Sequence, residues 1–150
     1  MMKNRIDKDV TVKAPIDRVW QALTDYREFG TWFRVALEEP FAVGRVTRGT
    51  TTYPGYEGRK FWARTVTMDG PHLFVFDWPY GPDIMPELAD EPGVTTRVEF
   101  RLETAGAGTR IRLTETGFDM LPVDKSAEQF RNNDGGWTIQ MQNIRTHVDG

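Results

Sequence analysis

At 150 residues, with 39% hydrophobic and 27% charged side chains, the chain has the makeup of one globular domain and is too apolar for disorder. It has no cysteine, which excludes disulfides, thiolate zinc sites and cysteine nucleophiles. The net charge of −3 and the scatter of its 19 basic residues argue against nucleic acid as a partner. No run resembles a signal peptide or a membrane span, so a reducing cytoplasm and no membrane are expected. Aromatic residues make up 12% of the chain, many at positions expected to face inward. A core so rich in rings either packs as an ordinary interior or leaves a cavity.

Ile6 to Val12 alternates, with Ile6, Val10 and Val12 on one face, and predicts a half-buried strand. Pro15 suits the first turn of a helix and Asp17 its positive end. Ile16, Val19, Trp20 and Leu23 then form one apolar stripe. A second short helix is expected around Glu28 to Phe33. Arg45 to Thr52, Arg59 to Asp69 and Leu73 to Trp78 read as strands joined by turn residues, as in an antiparallel meander. Pro79 to Gly93, with four prolines and four acids, reads as a long loop. Thr95 to Glu103 and Thr109 to Thr116 form a hairpin across Ala105 to Gly108. Ser126 followed by Gln129 fits a capping box opening the last helix. On it Phe130, Trp137, Met141, Ile144 and Val148 share a stripe that Asp134 interrupts. Gly135-Gly136 predicts either a bend or close packing beside Trp137.

One strand, two short helices, a run of antiparallel strands and a long amphipathic helix resemble the START-like superfamily, also called SRPBCC or birch-pollen-allergen-like. Ala14-Pro15, Val19-Trp20-Gln21-Ala22-Leu23-Thr24-Asp25 and Trp32-Phe33 resemble the opening of the family named after the activator of the heat-shock protein 90 ATPase. Asp69-Gly70-Pro71-His72-Leu73, Glu115-Thr116-Gly117-Phe118 and Gly136-Trp137 resemble its later motifs. The resemblance implies a single helix-grip domain over residues 1–150, of the α+β class. About six antiparallel strands would curve around the C-terminal helix.

The candidate site follows from parity. Trp62, Val66 and Met68 share a face in their strand, which puts Arg64 with them. Glu115 shares the face of Ile111 and Leu113. Arg64 and Glu115 then either anchor a polar ligand, serve as acid–base groups, reach solvent through a bulge or strand end, or form a structural pair. A cavity between sheet and helix would be lined by Trp62, Val66, Phe76, Trp137 and Met141, with Arg64 and Glu115 as its polar anchors. Trp20, Trp32 and Trp137 either line a pocket or pack in the core, the commoner role of buried rings, and His72 and His147 read as surface residues without metal spacing. No nucleophile elbow, phosphate loop or metal-binding motif occurs, so no catalytic residue, metal or cofactor is assigned. The expected function is binding of a small apolar or amphipathic molecule. The alternatives are a chaperone-interacting domain, with a chaperone as partner, and a cyclase- or aromatase-like or hydrolase-like enzyme using the same cavity.

Overall fold

The computed structural model describes residues 4–81 and 83–150. Alternation over Arg5–Val12 makes β1, which buries Ile6, Val10 and Val12. Pro15 holds the chain extended just before α1 (Ile16–Thr24), whose stripe of Val19, Ala22 and Leu23 is buried. Asp25 ends α1 and caps α2 (Tyr26–Phe33): its Oδ1 accepts the N–H groups of Arg27 at 2.9 Å and Glu28 at 3.2 Å. That cap starts the second helix ahead of Glu28. Trp32 Nε1 donates to the Ala22 carbonyl at 2.8 Å and fastens the two helices together.

Six further strands follow: β2 (Val35–Leu37), β3 (Val46–Thr51), β4 (Lys60–Asp69), β5 (Leu73–Pro79), β6 (Thr95–Ala105) and β7 (Gly108–Thr116). All pair antiparallel in one curved sheet ordered β1-β7-β6-β5-β4-β3-β2. The strand beyond the expected six is β2, whose three residues are too few to show a period. This is the helix-grip α+β arrangement.

A bulge in β4 alters its faces. Pairing with β5 shifts register between Thr65 and Thr67. There Thr65 exchanges backbone hydrogen bonds with the 44–45 segment, donating to Arg45 O at 3.1 Å and accepting from Gly44 N–H at 2.8 Å. Phe61 and Ala63 before the bulge and Met68 after it all join the core. The expectation that Trp62, Arg64, Val66 and Met68 share one inner face is therefore corrected. Trp62 and Arg64 lie on the convex face, and Val66 is the extra residue of the bulge. The loop after β5 covers that convex face. Trp62 Nε1 donates to Ile84 O at 2.8 Å, and Arg64 reaches Asp90 at 2.7 Å.

The long helix α3 (Val123–Asp149) packs on the concave face and starts directly after Pro122. Ser126 is already inside its first turn, with its hydroxyl donating to Phe118 O at 2.7 Å. The expected capping box does not form; Gln129 donates to Asn133 Oδ1 at 2.8 Å instead. α3 runs unbroken through Gly135 and Gly136, where an added Cβ would meet no atom within 4 Å. These glycines leave open space and admit no close neighbour. At its far end, the Asp149 carboxylate accepts the N–H groups of Lys13 and Ala14, each at 3.0 Å.

Between α1, α2 and the sheet the concavity is filled with rings. Phe29, Phe74, Phe76 and Phe100 are fully buried. Phe29–Phe76 and Phe76–Phe100 centroids lie 6.4 Å apart, and Phe74–Phe76 centroids 5.6 Å. Among the described residues, no helix is long and apolar enough to cross a membrane.

Candidate functional site

Glu115 is where the sheet and α3 meet in polar chemistry. Its place in the β7 alternation points it inward, and it is 0% exposed. Thr96 on β6 donates its hydroxyl to Oε2 at 2.6 Å, and Trp78 on β5 donates its indole N–H to the same oxygen at 2.9 Å. From α3, Trp137 Nε1 donates to Oε1 at 2.8 Å and Asn133 Nδ2 to Oε2 at 3.0 Å. Gln129 holds the other end of that amide, which keeps its nitrogen toward Glu115. Indoles only donate, so the carboxyl on β7 is the shared acceptor of two neighbouring strands and one helix. No cation pairs with it among the described residues. Burial pushes the Glu115 pKa up, and the bonds from Thr96, Trp78, Trp137 and Asn133 offset only part of that rise.

In front of this carboxyl the two indoles stack, with centroids 5.5 Å apart and planes at 28°. Phe33 meets Trp78 and Trp137 at 6.0 Å each, and Phe61 meets Trp78 at 6.1 Å. These four rings floor an open groove of about 670 Å³ between α3, the end of α2, the β3–β4 turn and the end of β5. That volume suits a drug-sized ligand. Phe76 and Phe100 back the floor at 5.6 Å from Trp78 and 5.7 Å from Trp137. The open volume is thus at the mouth of the helix grip, above a packed interior. Gln129, Asn133, Gly136 and Gln140 recur at helical spacing along its α3 wall.

Of the residues expected to form the site, Trp62 and Trp137 line the groove. Glu115 sits directly behind its floor, and Phe76 supports the floor from below. Met141 is buried in the core, one turn beyond Trp137, and does not reach the groove. Arg64 is not brought to Glu115. It lies across the sheet with Asp77 and Asp90, so the two anchors do not converge, and the bulge is the reason. Trp78, Thr96, Asn133, Phe33 and Phe61 escaped sequence reasoning. Trp78 keeps parity with Phe74 and Phe76, and Asn133 precedes Trp137 by one turn; those spacings were the available signal. Asp134, the polar interruption of the stripe, pairs with Lys8 of β1 at 3.0 Å.

His72 is exposed, whereas His147 is half-buried against Glu28 at 2.9 Å, which corrects its reading as a surface residue. Among the described residues no group of His, Asp and Glu has the arrangement of a metal site.

Solved structures that share this architecture include three that match over a similar extent of this chain. Protein MLL2253 from Mesorhizobium loti superposes with a TM-score of 0.76 at 16% identity, over 97% of this chain and 96% of that one. The Aha1 dimer from Colwellia psychrerythraea gives 0.72 at 16% identity, over 99% and 97%. DynU16, a protein of the dynemicin biosynthetic locus, gives 0.71 at 20% identity; it covers 98% of this chain, which spans only 48% of DynU16. At these identities the likeness shows the fold alone. No curated protein matches the chain by sequence. The sequence profile described as Activator of Hsp90 ATPase homolog 1-like protein matches residues 13–149, and the chain belongs to that family.

Proposed function

We propose that the protein binds a small apolar or amphipathic molecule in the groove between the sheet and α3, in the cytoplasm. One observation carries this reading: four aromatic rings floor a groove of about 670 Å³ that stays open to solvent. Exposing rings to water is unfavourable, by about 25 cal/mol per Å² of apolar surface, so the partly exposed Phe33, Phe61 and Trp78 favour an occupant, while Trp137 is itself 2% exposed. Gly135 and Gly136 keep the α3 wall free of side chains where that occupant would lie. Trp137 touches it, and Glu115 fixes the two stacked indoles from behind.

Native mass spectrometry of freshly purified protein, with fluorescence titration of an apolar probe, tests the reading. A co-purified small molecule or micromolar probe binding is expected. Gly136→Phe, which fills open space on the groove wall, is expected to abolish probe binding and keep the melting temperature. Equal probe binding by the variant and wild type would sink the assignment to this groove.

The family description and the likeness to the Aha1 dimer favour a second reading, a chaperone-interacting domain. A pull-down with the bacterial heat-shock protein 90 homologue separates the two. Capture that persists in Gly136→Phe belongs to another surface.

A further inference from the structure

We infer that the molecule bound in the groove carries an anionic group on an apolar body, with the anion seated among Arg34, Arg59 and Lys60. This inference rests on the groove being a ligand site and names the charge of what enters it.

Among the described residues, three cations line the groove and no aspartate or glutamate does, in a chain of net charge −3. The backbone gathers them at one end. Thr51 N–H donates to Arg59 O at 2.8 Å, and Thr52 N–H donates to Arg34 O at 2.9 Å. Lys60 lies opposite Thr50 in the β3–β4 register. The backbones of all three residues therefore meet beside the end of β3, and all three line the groove.

On the outer sheet face the arginines meet acids: Arg97 with Asp77, Arg110 with Asp9, Arg112 with Glu103. Among the described residues, Arg34, Arg59 and Lys60 form no such pair. Glu57, two residues before Arg59, turns its carboxylate onto the Gly55 N–H at 2.8 Å. The Arg59 guanidinium instead lies 4.7 Å over the ring of Tyr56, another groove residue, which positions the cation without neutralising it.

Arg34 supplies a second, independent sign. It caps α2 in the left-handed conformation at φ 71°, the position where glycine is the favoured residue. Among the described residues it is the non-glycine residue with positive φ. A strained backbone that carries a cation to a site is the kind of local cost that persists where a side chain is needed.

Along α3, the groove presents the neutral amides of Gln129, Asn132 and Asn133. The rings of Phe61, Trp78 and Trp137 complete an amphipathic site. An apolar body would lie on those rings while a carboxylate, sulfonate or phosphate meets the two guanidinium forks and the ammonium.

Two probes test this: anilinonaphthalene sulfonate and phenylnaphthylamine, the same ring system with and without an anionic group. The readout is the ratio of their affinities in wild type and in a triple variant, Arg34→Gln, Arg59→Gln and Lys60→Gln. Each exposed cation contributes roughly two- to fivefold to binding an anion, so the sulfonate preference should fall by about tenfold or more in the triple variant. The neutral probe should change by less than about twofold, as for surface substitutions. Rising salt should erode the wild-type preference and leave that of the variant flat. Circular dichroism checks folding, and the single variants Arg59→Gln and Lys60→Gln carry the test should the triple variant fail to fold. A ratio that does not move on substitution overturns the anion inference and leaves the groove reading intact. Failure of both probes to bind wild type overturns both.

Discussion

Two carboxylates lie on opposite faces of the same sheet, and each is held in a different way. Glu115 faces α3 at 0% exposure and receives only neutral donors. Asp77 faces outward at 7% exposure, with Arg97 bidentate at 2.9 and 3.1 Å and Arg64 at 3.9 Å. Neutral donors orient a carboxyl but supply no opposite charge, so burial dominates and the Glu115 pKa rises. Guanidinium groups compensate the charge itself, and the hydrogen bond to Asp77 raises the pKa of Arg97 in return. The outer pair is a fixed clamp between strands. The inner carboxyl is tied to the groove floor, so whatever disturbs the floor disturbs it.

The largest way to break this contrast is Trp137→Ala. It removes a buried ring and a Glu115 donor together, and a loss of about 3–5 kcal/mol is expected in urea melts. A loss below about 1 kcal/mol would mean that ring and carboxyl are independent.

Glu115→Gln sharpens it through pH. A raised folded pKa means that the folded chain keeps a proton the unfolded chain has already released. Wild-type stability contributed by this group therefore falls as pH rises from the ordinary glutamate value of 4.5 to the raised folded value, and is level beyond. Melts of both proteins between about pH 4.5 and pH 8 should show wild type losing ground to the variant as pH rises. A difference that does not change with pH refutes the rise.

Asp77→Asn should cost less, about 1 kcal/mol, because Arg97 is half-exposed and solvent screens the pair. That cost should shrink in about 1 M salt, while the neutral bonds around Glu115 should not respond. The smallest effect concerns the groove wall. Gly135→Ala places a methyl in open space on a helix and should stabilise by about 0.5–1 kcal/mol in thermal melts. A loss at that position would mean that the wall is closely packed.

The periodic parts of the molecule were legible in the sequence. β1, β6, β7 and α3 follow their hydrophobic periods, and Glu115 faces inward as the alternation of β7 requires. What escaped is what interrupts a period. The extra residue in β4 moves Trp62 and Arg64 to the other face, and no composition signal marks it because Thr65, Val66 and Thr67 all suit a strand. The cap of α3 is Pro122, four residues ahead of Ser126, which resembles a cap but bonds to Phe118. The groove itself is assembled from turn residues and strand ends, such as Arg34, Tyr56, Arg59 and Trp78. Their proximity comes from pairing across the sheet, which periodicity within one element does not describe.

Arg34 has a consequence for laboratory evolution. Glycine at this left-handed cap would relieve about 1 kcal/mol of backbone strain. A library screened for heat resistance alone should therefore enrich Arg34→Gly early. Its winners would melt later than the parent, yet hold anionic molecules less well than neutral ones of the same shape. Screening the same library for both traits should keep the arginine, and the divergence between the two outcomes would measure how much stability this family member forgoes for recognition.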